Sequence, residues 1–151
     1  MANGTELSGL DWFAPVFAVP LIDLIAAEPV DATDPARGLR FVVTAQCLNA
    51  GGVVHGGVLA TVLDLAAYLS VLRTIGRGQQ AVTHAVAASY IAAARLGETL
   101  VATGELMRRS RRLAFTTATV TSGERLVAMA SVTKSIIDVG PPAPTPGGSH
   151  T

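Results

Sequence analysis

The chain is poor in the residues from which several kinds of site are built. It has one cysteine, Cys47, one tryptophan and three histidines in 151 residues. A single thiol cannot close an internal disulfide or build a cysteine-based zinc site. The histidines form no close ligand cluster in the sequence either, so no metal is expected. Charge is equally scarce: 15% of residues are charged, 11 basic against 11 acidic, for a net charge of zero. That balance excludes a globally basic nucleic-acid binder. What the chain has instead is apolar surface, with half of its residues hydrophobic and a mean hydropathy of +0.46. This excludes a disordered chain. A domain of this length buries only ~70% of its unfolded surface when it folds alone, so the surplus points to burial against a second copy.

No signal peptide is expected, because the N-terminal stretch lacks a basic segment and is interrupted by Glu6, Asp11 and Asp23. The most apolar run, Val58 to Ile75, has the length of a membrane span, but Asp64 and Arg73 within it are costly in lipid. A buried soluble helix and a cytoplasmic protein without a membrane partner are the expectation.

Length allows one domain, expected over residues 10–139. Residues 1–9 are expected to form a flexible N-terminus, and the Pro/Gly-rich tail over 140–151 cannot bury apolar area. Leu10 to Val19 reads as a short helix bounded or kinked by Pro15 and Pro20. Leu21 to Glu28 reads as a first strand and Leu39 to Cys47 as a second. A glycine-laden loop from Asn49 to Gly57 follows, then one long helix, Val58 to Ile75, stopped by Gly76 and Gly78. Four β-like segments complete the domain: Ala81 to Ala93, Thr99 to Arg109, Arg112 to Thr121 and Arg125 to Ile137. Leu96-Gly97-Glu98 and Ser122-Gly123-Glu124 mark turns between them. Short turns favour antiparallel pairing. The predicted class is therefore α+β, a curled antiparallel sheet of about six strands around one long helix.

Asp64 is the most informative residue. It is the only acid between Asp34 and Glu98, and it sits between Leu63 and Leu65 in the most apolar helix. Burying its charge unpaired costs several kcal/mol on typical scales, so something must offset it. One reading is a structural carboxylate bonded to a hydroxyl such as Tyr68, one turn on. The other is a carboxylate that activates water or attacks a substrate. The loop entering the helix supplies the complementary group. The first N–H groups of a helix lack internal partners and lie at the positive end of its dipole. Gly56 and Gly57 let a carbonyl or oxyanion approach those N–H groups closely. His55 precedes them and could orient the loop or assist a leaving group, and the Asn49 amide could bond a carbonyl or fix the loop. A phosphate-loop reading fails, because Gly57 and Val58 stand where Lys and Ser/Thr belong. No Gly-x-Ser-x-Gly elbow is present either.

Gly56 and Asp64 lie about 12 Å apart along one helix axis. One carbonyl cannot meet the Gly56 N–H and a water held by Asp64 of the same helix. If both act on one substrate, they come from two chains related by a two-fold axis with antiparallel helices.

Asn49, His55-Gly56-Gly57 and Asp64, on a loop and a long helix, resemble the hotdog-fold acyl-CoA thioesterases. The resemblance is closest to the phenylacetic-acid-degradation type, within the group that includes 4-hydroxybenzoyl-CoA thioesterases. It runs from about Phe13 to Ile137 and takes in Tyr90, Ala94-Arg95-Leu96-Gly97-Glu98, Leu113-Ala114-Phe115 and Arg125-Leu126-Val127-Ala128. Ala92-Ala93 departs from it, since relatives commonly carry proline there. The resemblance implies a six-stranded antiparallel sheet around one helix, in homodimers often paired into homotetramers, with the active site between subunits. It implies hydrolysis of an acyl-CoA with no cofactor beyond the CoA of the substrate. Asp64 would be general base or nucleophile, and the Gly56 N–H, helped by Asn49, would polarise the thioester carbonyl. His55 would orient the loop or meet the thiol leaving group, and the Thr83 hydroxyl would help hold the water.

Arg108, Arg109, Arg111 and Arg112 form a local basic cluster suited to CoA phosphates. The same cluster also reads as a solvated turn that discourages edge pairing, and it lacks the interleaved aromatics of a nucleic-acid surface. His84 is expected on the sheet face opposite Thr83, and Cys47 as a bystander thiol. Two other functions fit the fold: a dehydratase or hydratase on acyl thioesters, whose usual Gly-His-Phe-Pro pattern is absent, and a non-catalytic acyl-CoA binding module.

Overall fold

The computed structural model describes residues 9–76 and 78–140. The N-terminal segment and the Pro/Gly-rich tail expected from the sequence lie outside these residues, apart from Gly9 and Gly140. The described residues open with helix α1 (Gly9–Phe17), which carries Pro15 inside it, and helix α2 (Pro20–Ile25). The strand expected over Leu21 to Glu28 is therefore mostly helix, and only Glu28–Pro29 pairs, as the short strand β1. Local chemistry explains the correction. Pro20 stands at the first helical position, where its fixed φ and missing N–H cost nothing. Val19 before it is extended, with φ −99° and ψ 142°, as a residue preceding proline prefers. Ile22 and Ile25 are buried while Leu21 and Leu24 are exposed, which is a helical period rather than an alternation.

Strand β2 (Leu39–Val42) gives way to a 3₁₀ turn over Ala45–Cys47, shorter than expected. The Asn49 loop then enters helix α3 (Gly56–Val71), which one 3₁₀ turn extends to Thr74. Strands β3 (Gln79–Tyr90), β4 (Thr99–Arg109), β5 (Leu113–Ser122) and β6 (Arg125–Asp138) follow, close to the expected bounds. All pairings are antiparallel, and the six strands lie in the order β1-β2-β4-β5-β6-β3. The sheet wraps α3, whose Val62, Leu63, Ala67 and Leu69 are fully buried. Gly56–Thr74 is long and apolar enough to cross a membrane by composition, but half of that stretch is buried inside the domain.

Two features position the site. Gly104, in the middle of β4, lets the helix backbone come close. A Cβ there would lie 2.2 Å from the Ala66 carbonyl oxygen and 2.9 Å from the Ala67 nitrogen. Backbone cannot yield as a side-chain tip can, so Gly104→Ala is expected to cost about 3 kcal/mol or more, read as a lower urea midpoint at unchanged m-value. The second feature is the edge strand β3. Among the described residues it pairs with β6 on one side only, and every residue from Val82 to Ala87 is exposed, on both faces. A bulge between Thr83 and Ala85 interrupts its register with β6. His84 falls at the bulge and its Nδ1 lies 3.1 Å from Ser135 Oγ.

Candidate active site

Asp64 emerges where α3 meets the β3–β6 ladder. The register sets Thr83 opposite Lys134. Lys134 Nζ donates to Asp64 Oδ1 at 2.7 Å and to Thr83 Oγ1 at 2.8 Å. An ammonium has no lone pair, so the Thr83 oxygen must accept from it. The single Thr83 proton then points to Asp64, whose Oδ1 and Oδ2 both stand 2.9 Å away. The charge cost of Asp64 is thus met by a lysine and a threonine rather than by the Tyr68 hydroxyl. The Lys134 side chain is 2% exposed and that of Asp64 34%, so the carboxylate keeps one side open. Burial pulls the Lys134 ammonium below its ordinary lysine range, opposed by the hydrogen bond and charge of Asp64. The Tyr68 ring lies 5.7 Å from Nζ, and desolvation raises the Tyr68 phenol above its usual value.

Asp64, Thr83 and Lys134 line a cleft of about 550 Å³ walled by Pro15, Val16, Val19, Ile22, Leu65 and Tyr68. Helices α1 and α2 thus supply one apolar wall, a role the sequence did not suggest. Lys134 was also missed. Its signal was present, since β6 alternates Ala128, Ala130, Val132, Lys134 and Ile136 inward, and a lysine on a buried stripe calls for a partner.

The loop residues fall elsewhere. His55 caps α3, its Nδ1 accepting the Gly57 N–H at 2.9 Å. That acceptor role puts the proton of a neutral ring on Nε2 and occupies the Gly57 N–H. Asn49 Oδ1 accepts from the Gly51 and Val53 N–H groups at 2.9 and 3.3 Å, which fixes the loop and leaves its NH₂ free to donate. The Gly56 N–H takes no partner among the described residues. Asn49 and Gly56 share a cleft of about 330 Å³ with Leu59, Tyr90 and Ile91. His55 and Gly57 line a third recess beside the buried Cys47. The donors and the carboxylate of one chain therefore open into different clefts.

The arginines gather at the β4–β5 turn and line none of these clefts. Arg108 and Arg109 pair with Phe115 and Ala114. Arg111 and Arg112 line a cleft of about 810 Å³ with Gln79, Ser135 and Asp138. No group of three His, Cys, Asp or Glu gathers among the described residues.

Asp64 is thus a carboxylate held by an ammonium and a hydroxyl on a helix wrapped by an antiparallel sheet, and the first N–H of that helix has no partner among the described residues. Residues 51–129 match the model of the thioesterase superfamily, and the chain belongs to that family and is a thioester hydrolase. Human acyl-coenzyme A thioesterase 13 is 33% identical over 90 residues, 58% of this chain and 64% of the human protein. The solved phenylacetic acid degradation-related protein of Ralstonia eutropha is 26% identical with TM-score 0.67, covering 82% of this chain and 98% of that one. The BH2602 protein of Bacillus halodurans, solved with CoA, is 26% identical with TM-score 0.62, covering 66% of this chain and 70% of that one. The resemblance read from the loop and helix agrees with these matches.

Proposed function

We propose that the chain hydrolyses an acyl-CoA at sites shared between two copies, the Gly56 N–H of one facing Asp64 of the other. The observation that carries this reading is the separation of the donor cleft from the carboxylate cleft within one chain. The outer edge of β3, which no described residue pairs, supports it, since such an edge on a 12-residue strand is a ready template for a second copy. Exposed Val86, Tyr90 and Ile91 beside that edge supply apolar area for the contact. The relative named acyl-coenzyme A thioesterase and the CoA-bound neighbour support the substrate class.

The reaction then runs as follows. The thioester carbonyl oxygen accepts from the Gly56 N–H, with the Asn49 NH₂ nearby. Asp64 takes a proton from a water as its oxygen bonds to the carbonyl carbon. The Gly56 donor and the helix dipole stabilise the resulting oxyanion. Collapse breaks the C–S bond, the electron pair leaves on sulfur, and the proton held by Asp64 returns to the thiolate or to solvent. The products are the acid and CoA thiol. Arg111 and Arg112 bind the CoA phosphates.

Free thiol released from a panel of acyl-CoAs tests the reading, and no release from any of them ends it. The phosphate contact has its own check. R111A/R112A is expected to raise KM for an acyl-CoA about tenfold, equivalent to about 1.4 kcal/mol. KM for the acyl-N-acetylcysteamine ester, which lacks phosphates, should not change. An equal rise for both would remove the arginines from phosphate binding.

A further inference from the structure

Lys134 is charged, fully enclosed and mid-strand, and stability does not account for it. Burying an ammonium costs several kcal/mol after relaxation, and a buried ion pair commonly returns no more than it costs. A methionine would fill the same volume without that cost. What the lysine does is geometric. Its bond to Oδ1 fixes one carboxylate oxygen, and its bond to Thr83 dictates the direction of the hydroxyl proton. Oδ2 receives nothing from Lys134 and shares only the Thr83 proton.

Resting on the hydrolytic reading above, we infer that Lys134 is a positioning residue, which fixes Asp64 and the polarity of Thr83 so that Oδ2 is the oxygen that takes the proton from water. Lys134 touches no reacting atom. It acts through Asp64 and Thr83, and its loss should appear in the chemical step and not in binding. Asp64 keeps an open side toward the cleft, so its charge remains solvated when the ammonium is gone and the fold should survive.

The test begins with wild-type turnover, which settles the hydrolytic reading by itself. K134M, K134Q, T83V and K134M/T83V are then compared for kcat, KM and thermal midpoint. For K134M, kcat is expected to fall at least tenfold with KM within twofold and a midpoint near or above wild type. A structural role cannot give lost turnover together with kept stability. K134Q retains donors without charge and should fall between K134M and wild type. The loss in K134M/T83V should be smaller than the product of the single losses, since both act on one carboxylate. A folded K134M with kcat within twofold of wild type would overturn the inference, as would losses that multiply. If neither K134M nor K134Q folds, Lys134 is a residue of the fold and the inference is likewise overturned.

Discussion

Asp64→Asn is expected to lower turnover of an acyl-CoA by about 10³-fold, within the range that a positioned proton acceptor supplies. The substitution keeps volume and shape. The oxygen of the new amide can still accept from Lys134 and its NH₂ can still donate to Thr83, so the cleft retains its walls. The basicity that accepts a proton from water is lost. The buried ammonium also loses its opposite charge, which lowers stability by about 3–5 kcal/mol, so circular dichroism at the assay temperature must accompany the kinetics. A folded D64N with wild-type turnover would remove Asp64 from the chemistry.

Gly56→Pro is expected to lower kcat by about 10²–10³, the loss found when one oxyanion donor is removed. A backbone donor is hard to delete, but here the local geometry permits it. Gly56 is the first residue of α3, the helical position at which proline is best tolerated. His55 before it has φ −63° and ψ 134°, which a residue preceding proline adopts readily. A Cβ at position 56 would meet the Tyr90 ring no closer than 3.6 Å, an ordinary contact. G56P should therefore fold, keep the cap that His55 gives the Gly57 N–H, and lack only the N–H of residue 56. Gly56→Ala keeps the donor and should stay within a few-fold of wild type. If G56P matches wild type, the oxyanion is held elsewhere.

The sheet and the central helix were legible because each carries its own period. The run after Gly56 is apolar on nearly every side, as an enclosed helix must be. Glycine turns separate β3 from β4 and β5 from β6. Helix α2 was not legible as a helix, because Leu21-Ile22-Asp23-Leu24-Ile25 is apolar at both spacings and only Pro20 marks its start. At the site, Asp64, Asn49 and the glycines could be picked out from the loop and helix pattern, and Thr83 only through the family resemblance. The Asp64–Lys134 pair could not, since it spans 70 positions and depends on the β3–β6 register. The arginines were legible as a cluster, but their cleft depends on how the β4–β5 turn folds over Gln79 and Asp138.

The shared site is tested most directly by complementation. D64N and G56P chains carrying different tags are co-expressed, and the mixed species is isolated and assayed for thiol release. If each site takes Gly56 from one copy and Asp64 from the other, the mixed dimer carries one intact site and one doubly impaired site. The unfractionated mixture should then recover about a quarter of wild-type activity, since half the dimers are mixed and half their sites are intact. Mixed dimers no more active than the two inactive parents would contradict a site built from two chains.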